Sequence, residues 1–78
     1  MTYNLINRIA KLHKKDKNVS CAAVVRYLRI EKHIKVSQSE FSRYANGIEN
    51  PPKSELVLSE ADKRVTELEE KLKVKKAG

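Results

Sequence analysis

The sequence predicts an all-α protein, three short helices ahead of one long amphipathic helix, on three observations. Apolar residues recur at steps of three and four along its main segments. Capping side chains, Gly and Pro stand between those segments rather than inside them. No stretch alternates apolar and polar residues in the manner of a strand, and there is no internal repeat or low-complexity tract.

Thr2 is placed to cap a first helix over residues 3–15, with Leu5, Ile9 and Leu12 on one stripe and Ile6 and Ala10 beside it. Lys11, Lys14 and Lys15 crowd its last turn, where the helix dipole favours cations. Asp16-Lys17-Asn18 reads as a turn. A second helix begins near Ser20 and is carried by Ala22, Ala23, Val24, Tyr27 and Leu28. Its end is open, because residues 29–34, Arg-Ile-Glu-Lys-His-Ile, contain neither Gly nor Pro.

The third helix is bounded most sharply. Ser37 followed three residues later by Glu40 forms a capping box, in which hydroxyl and carboxylate each accept an otherwise orphaned amide. Gly47 suits a left-handed ending, and Pro51-Pro52 forbid continuation, which leaves a helix over 37–46. Phe41, Ala45 and, past the cap, Ile48 fall on one side, with Tyr44 at the margin. Gln38, Ser39, Ser42, Arg43 and Asn46 fall on the other. So short a helix is marginal alone, and its apolar strip is expected to dock on the two helices before it.

After the prolines, Ser54 is expected to cap a helix over 55–76. Leu58, Ala61, Val65, Leu68 and Leu72 recur at steps of 3, 4, 3 and 4, the a/d pattern of a coiled coil, and Lys75 ends the seam. These five residues are the expected dimerisation strip of a homodimer. Arg64 would face Glu69 of a second chain, and Glu67–Lys71 and Glu69–Lys73 would support the helix surface. Residues 73–78 read as a frayed tail. The alternative for the long helix is to fold back on its own domain.

Composition narrows the function. Residues 1–53 hold eleven basic and four acidic side chains, net +7, whereas residues 54–78 hold six of each. The excess therefore sits wholly in the first half, as a polyanion-binding face requires. The chain divides accordingly into a basic domain, 1–53, and a C-terminal dimerisation helix, 54–78. A chain of 78 residues buries a modest core. Cys21, the sole cysteine, excludes an intrachain disulfide and reads as a small hydrophobe. His13 and His33 stand twenty residues apart without ligand spacing, so no metal is expected, and self-association remains the expected source of added stability. No cofactor or small-molecule ligand is expected either. Neither a leader nor a membrane-spanning apolar run is legible, which points to a cytoplasmic protein without membrane contact. An enzyme is not expected. Asp16 lies in a Lys-rich turn, Asp62 on a charged helix, and Cys21 has no neighbouring His to serve as base.

The polar side of helix 37–46 suits nucleotides. Gln pairs bidentately with adenine and Arg with guanine in the major groove, while Ser and Asn suit base edges or phosphate oxygens. An ordinary solvated face is the plain alternative. The segment VSQSEFSRYANGIENPP, residues 36–52, resembles the recognition helix and following turn of the lambda-repressor/Cro-like helix-turn-helix family. Residues 20–28, SCAAVVRYL, are similar to that family's scaffold helix. The resemblance implies a helix-turn-helix domain followed here by the long C-terminal helix. Its function would be sequence-specific regulation of transcription, repressor-type and of phage or plasmid kind, as a dimer on an inverted repeat of double-stranded DNA. It also implies base contacts from Gln38, Ser39, Ser42 and Arg43, with Ser37, Asn46, Lys53, Lys35 and Arg26 on phosphates.

The match departs from the family in one place. Residues 29–34 look like an insertion into a turn that is ordinarily about four residues long and contains Gly. A second register also stands, in which residues 37–48 form the scaffold helix and recognition follows Ile48. In a different class, the chain would be a protein-interaction adaptor, an antitoxin or anti-host phage protein, whose C-terminal helix captures a partner. Structured RNA is a weaker fit, since Tyr3, Tyr27, Phe41 and Tyr44 are better placed for packing than for stacking bases.

Overall fold

Helix α1 spans Leu5–Lys15, α2 Cys21–Glu31, α3 Gln38–Ala45 and α4 Pro52–Lys71. This computed structural model describes residues 4–72, and no strand occurs among them. Thr2, Tyr3, Lys73, Lys75 and the tail expected at 73–78 lie outside the described residues. No helix among those described is long and apolar enough to cross a membrane.

Local chemistry sets the ends of the short helices. Asn4, in the left-handed region at φ 54°, takes the cap position of α1. The turn that follows α1 is held by Asp16, whose carboxylate accepts the Asn18 amide at 2.9 Å and whose carbonyl accepts the Val19 amide at 3.0 Å. Ser20 Oγ then accepts the Ala23 amide at 3.1 Å and caps α2. At α3 the capping box is complete, with Ser37 N–H donating to Glu40 Oε1 at 3.0 Å and Glu40 N–H to Ser37 Oγ at 3.1 Å. Gly47, at φ 73°, closes α3 by sending its amide to Tyr44 and the Ile48 amide to Arg43, both Schellman bonds.

The open stretch 29–34 divides between helix and loop. Helix α2 runs on to Glu31, and His33 then turns the chain at φ 55°, a left-handed conformation in a residue with a Cβ. The Ile34 amide returns to the Leu28 carbonyl at 3.0 Å. Ile34 and Val36 are buried, so the segment between α2 and α3 is pinned by alternate apolar side chains, not by a tight glycine turn. A left-handed L-residue costs about 1–2 kcal/mol. Replacing His33 by Gly is expected to stabilise the fold by about 0.5–1 kcal/mol once the added freedom of the unfolded chain is subtracted. Urea denaturation measures this, and a loss of stability would mean that the imidazole makes a contact worth more than the strain.

The core contains Leu5, Leu12, Val24, Leu28, Phe41, Val57 and Val65, all fully buried. It takes in the strip of α4 expected to face a second chain. Ala61 and Val65 of the anticipated dimer strip are 0% exposed, and Leu58, Leu68 and Leu72 pack partly buried against the same core. These five residues pack against the core of their own chain. The Cα radius of gyration of 11.7 Å is close to the roughly 11 Å of a compact domain this long, so α4 does not project. Residue 53 is accordingly no boundary, since one core draws on both sides of it.

Two further expectations change at the ends of α4. Ser54 does not cap it: the helix starts at Pro52, whose fixed φ suits a first turn, and buried Ser54 donates its hydroxyl to the Pro51 carbonyl at 2.7 Å. Ile48, expected beside Phe41, is 70% exposed, because the Schellman turn swings it off the helix face.

A polar clasp fastens α4 to α1. Arg8 grips Glu69 with Nε at 3.1 Å and Nη2 at 2.7 Å, reaches Asp62 through Nη1 at 2.6 Å, and donates to Thr66 Oγ1 at 3.1 Å. Glu69 is 5% exposed. The two carboxylates push the Arg8 pKa further upward, the Glu69 hydrogen bond foremost. Glu69 thus serves within the chain and not opposite Arg64 of another; Arg64 lies 4.4 Å over the Tyr27 ring of α2. Removing one partner of a buried pair strands the other. Arg8→Met is expected to destabilise by about 3 kcal/mol, near the low end of that class because Arg8 keeps some solvent contact. A change below about 1 kcal/mol in urea denaturation would reduce the clasp to an ordinary surface pair.

Candidate nucleic-acid interface

The capping box that starts α3 also decides which of its side chains remain free. Glu40 is committed to structure. Its carboxylate accepts the Ser37 amide and, at 3.2 Å, the Tyr44 hydroxyl, and these hydrogen bonds, Ser37 foremost, hold its pKa below the usual range. Because that carboxyl is favoured as the anion in the folded state, its contribution is present at neutral pH and is lost as pH falls through its folded pKa. Burial, with Glu40 beside it, raises the Tyr44 pKa. Tyr44 is buried, inside the margin that the sequence assigned to it.

The two turns of α3 differ. Gln38 and Ser39, on its first turn, are exposed and make no side-chain hydrogen bond among the described residues. Farther along, Asn46 folds back on its own helix, its amide donating to the Ser42 carbonyl at 2.8 Å and to Ser42 Oγ at 3.3 Å. Arg43 Nε lies 2.8 Å from Glu49 Oε1, a contact of charges without hydrogen-bond alignment. Both side chains of that pair are nearly half in water, so it is weak and exchangeable. Of the base-reading candidates, Gln38 and Ser39 stand ready, whereas Ser42 and Arg43 have local partners to leave first. Asn46 is likewise occupied, and Ser37 is exposed but serves as the cap.

Cations collect around the start of α3. Arg26, Arg29 and Lys35 line one groove of about 720 Å³ with Gln38, and Arg29, Lys35, Ser37, Glu40 and Lys53 line a second of about 470 Å³. The grooves share Arg29 and Lys35, so together they form a basic track from α2 past the start of α3 to the start of α4. Lys53 Nζ donates to the Lys35 carbonyl and ties the last two positions together. Arg26, Arg29 and Lys35 have no ion pair with a carboxylate among the described residues, whereas Lys53 lies within the field of the Glu40 carboxylate. Three other cations of the basic half are paired, Arg8 with Asp62 and Glu69, Lys32 with Glu60 at 3.7 Å, and Arg43 with Glu49, while Lys11, Lys14, Lys15 and Lys17, on and after α1, have no ion pair among the described residues.

Arg29 and His33 were not singled out in the sequence as site residues. His33 lies in the left-handed turn past α2, but Arg29 follows Arg26 at helical spacing, and that shared face was legible in principle. It stayed hidden because the end of the helix could not be placed without a breaker. Cys21 has no role in the site: it is half-buried, and burial raises its thiol pKa.

The arrangement offers a short row of uncharged hydrogen-bonding groups flanked by unneutralised cations, the division between base contacts and phosphate contacts found in duplex recognition. No protein-family model, no curated protein and no solved structure matches the chain.

Proposed function

We propose that this chain is a sequence-specific double-stranded DNA-binding protein, a repressor-type regulator in which α2 and α3 act as a helix-turn-helix pair and the first turn of α3 enters the major groove. The reading rests on one observation above all: exposed, unpartnered Gln38 and Ser39 start a helix beside Arg26, Arg29 and Lys35, which pair with no described carboxylate. Gln38 and Ser39 read base edges, and Arg43 joins them by exchanging Glu49 for a guanine or a phosphate. Arg26, Arg29, Lys35 and Lys53 take phosphates. The second register, with α4 in the groove, has less support, because the exposed side of α4 sets Glu55, Glu67 and Glu70 among its lysines and would repel the backbone.

Pairing on an inverted repeat then calls for a self-association surface other than the α4 strip, whose members belong to the monomer core. Selection from random duplex DNA with the purified chain tests both points. Enrichment of one motif supports the reading, its symmetry reports whether one copy or two bind, and no enrichment refutes it. Gln38→Ala is expected to cost about 1–3 kcal/mol on the selected site and little on random duplex, whereas Lys35→Ala weakens both and lowers the salt slope by about one. Equal losses on both duplexes for Gln38→Ala would remove it from base reading.

A further inference from the structure

The groove beside Gln38 has a composition that phosphate binding alone does not require. Ala22, Arg26, Arg29 and Ile30 are all exposed, and their spacing places them on one stripe along α2, with exposed His33 in the turn beyond its end. From Ala22 to Ile30 the stripe runs about 12 Å. The groove is floored by buried Val25 and Ile34 and rimmed by Arg26, Arg29 and Lys35. Ile30 keeps 56% of its surface in water in the middle of it. A nucleic-acid backbone would meet the cations and leave that apolar centre unused. Charge complementarity and the apolar strip together call for a partner that is both acidic and amphipathic.

We propose that this stripe is a docking groove for an acidic amphipathic helix of a partner protein, with its apolar edge on Ala22 and Ile30 and its carboxylates on Arg26, Arg29 and Lys35. Just over two turns of a guest helix match the length of the stripe, and apolar residues at i, i+3, i+4 and i+7 are the usual anchors of a helix held in a groove. Arginine suits the rim because its guanidinium takes a carboxylate bidentately. The same groove contains Lys35 and Gln38, so a docked helix excludes the duplex from that face. Only this competition rests on the DNA reading; the docking does not.

A labelled synthetic peptide of about 15 residues, Leu and Glu at amphipathic helical spacing, is titrated with the full chain and read by fluorescence anisotropy. Controls are the same composition scrambled to destroy the spacing, and polyglutamate. The ordered peptide is expected to bind at least about tenfold tighter than either control, and Ile30→Ser to remove about tenfold of its affinity while leaving duplex affinity unchanged. Equal binding of the controls, or an unaltered Ile30→Ser variant, would overturn the groove and leave only a cationic patch. Gln38→Ala should lower duplex affinity and spare the peptide, so failure of the DNA reading and failure of the docking appear in different measurements. Displacement of a selected duplex by the peptide supports the competition; a stable ternary complex overturns it.

Discussion

Val65→Asp is expected to unfold the chain, not to dissociate a dimer. Val65 is 0% exposed and belongs to the apolar core that α4 shares with the other three helices. A carboxylate there would sit among buried apolar side chains, and a polar group in such a setting costs several kcal/mol even after it takes up a proton. That is comparable to the whole stability of a small domain, which lies at about 5–15 kcal/mol. The expected result is loss of most helical circular dichroism at 25 °C and no cooperative urea transition. A coiled-coil seam makes the opposite prediction: a helical, folded variant whose only defect is a halved mass in sedimentation. That outcome would return Leu58, Ala61, Val65, Leu68 and Leu72 to an interface between chains.

Phe41→Ala is expected to cost about 3–5 kcal/mol, the range for removing a large aromatic side chain from a packed interior. The ring is fully buried, on the opposite side of α3 from Ser39, with exposed Gln38 one turn before it. Only eight residues make up α3, so it cannot persist without that anchorage. Urea denaturation should give a midpoint far below that of the unaltered chain, and duplex binding should fall in proportion to the folded fraction. Near-wild-type stability would place Phe41 outside the core and remove the reason why the polar side of α3 faces solvent. Set beside Gln38→Ala, the substitution separates holding the helix from reading with it.

Most element ends were legible because local chemistry sets them. Ser20, the pair Ser37–Glu40, Gly47 and the Asp16 turn each satisfy backbone groups within four or five residues, and such contacts are encoded in short windows. The open end of α2 was not legible, since no breaker marks it. A strained His33 and two buried anchors, Ile34 and Val36, terminate it, and the worth of those anchors depends on a core assembled from distant residues. The free portion of the candidate interface was only half legible. Sequence spacing puts Gln38, Ser42 and Arg43 on one side of a helix, but it does not say that Asn46 occupies Ser42 or that Glu49 sits against Arg43.

By itself the sequence determined an all-helical chain, the bounds of α3, the division of that helix into an apolar and a polar side, and the gathering of positive charge ahead of residue 54. These follow from periodicity, capping and composition, which operate over a few residues. The tertiary structure alone decided where α4 goes. Steps of three and four describe a coiled-coil strip and a helix laid on a globular core equally well. What separates them lies sixty residues away, where Arg8 neutralises Glu69 and lets the wider face of α4, with Val57 included, close over α1. It also decided which cations remain unneutralised around Gln38, because only folding pairs an arginine with an acid far along the chain and leaves another open to solvent.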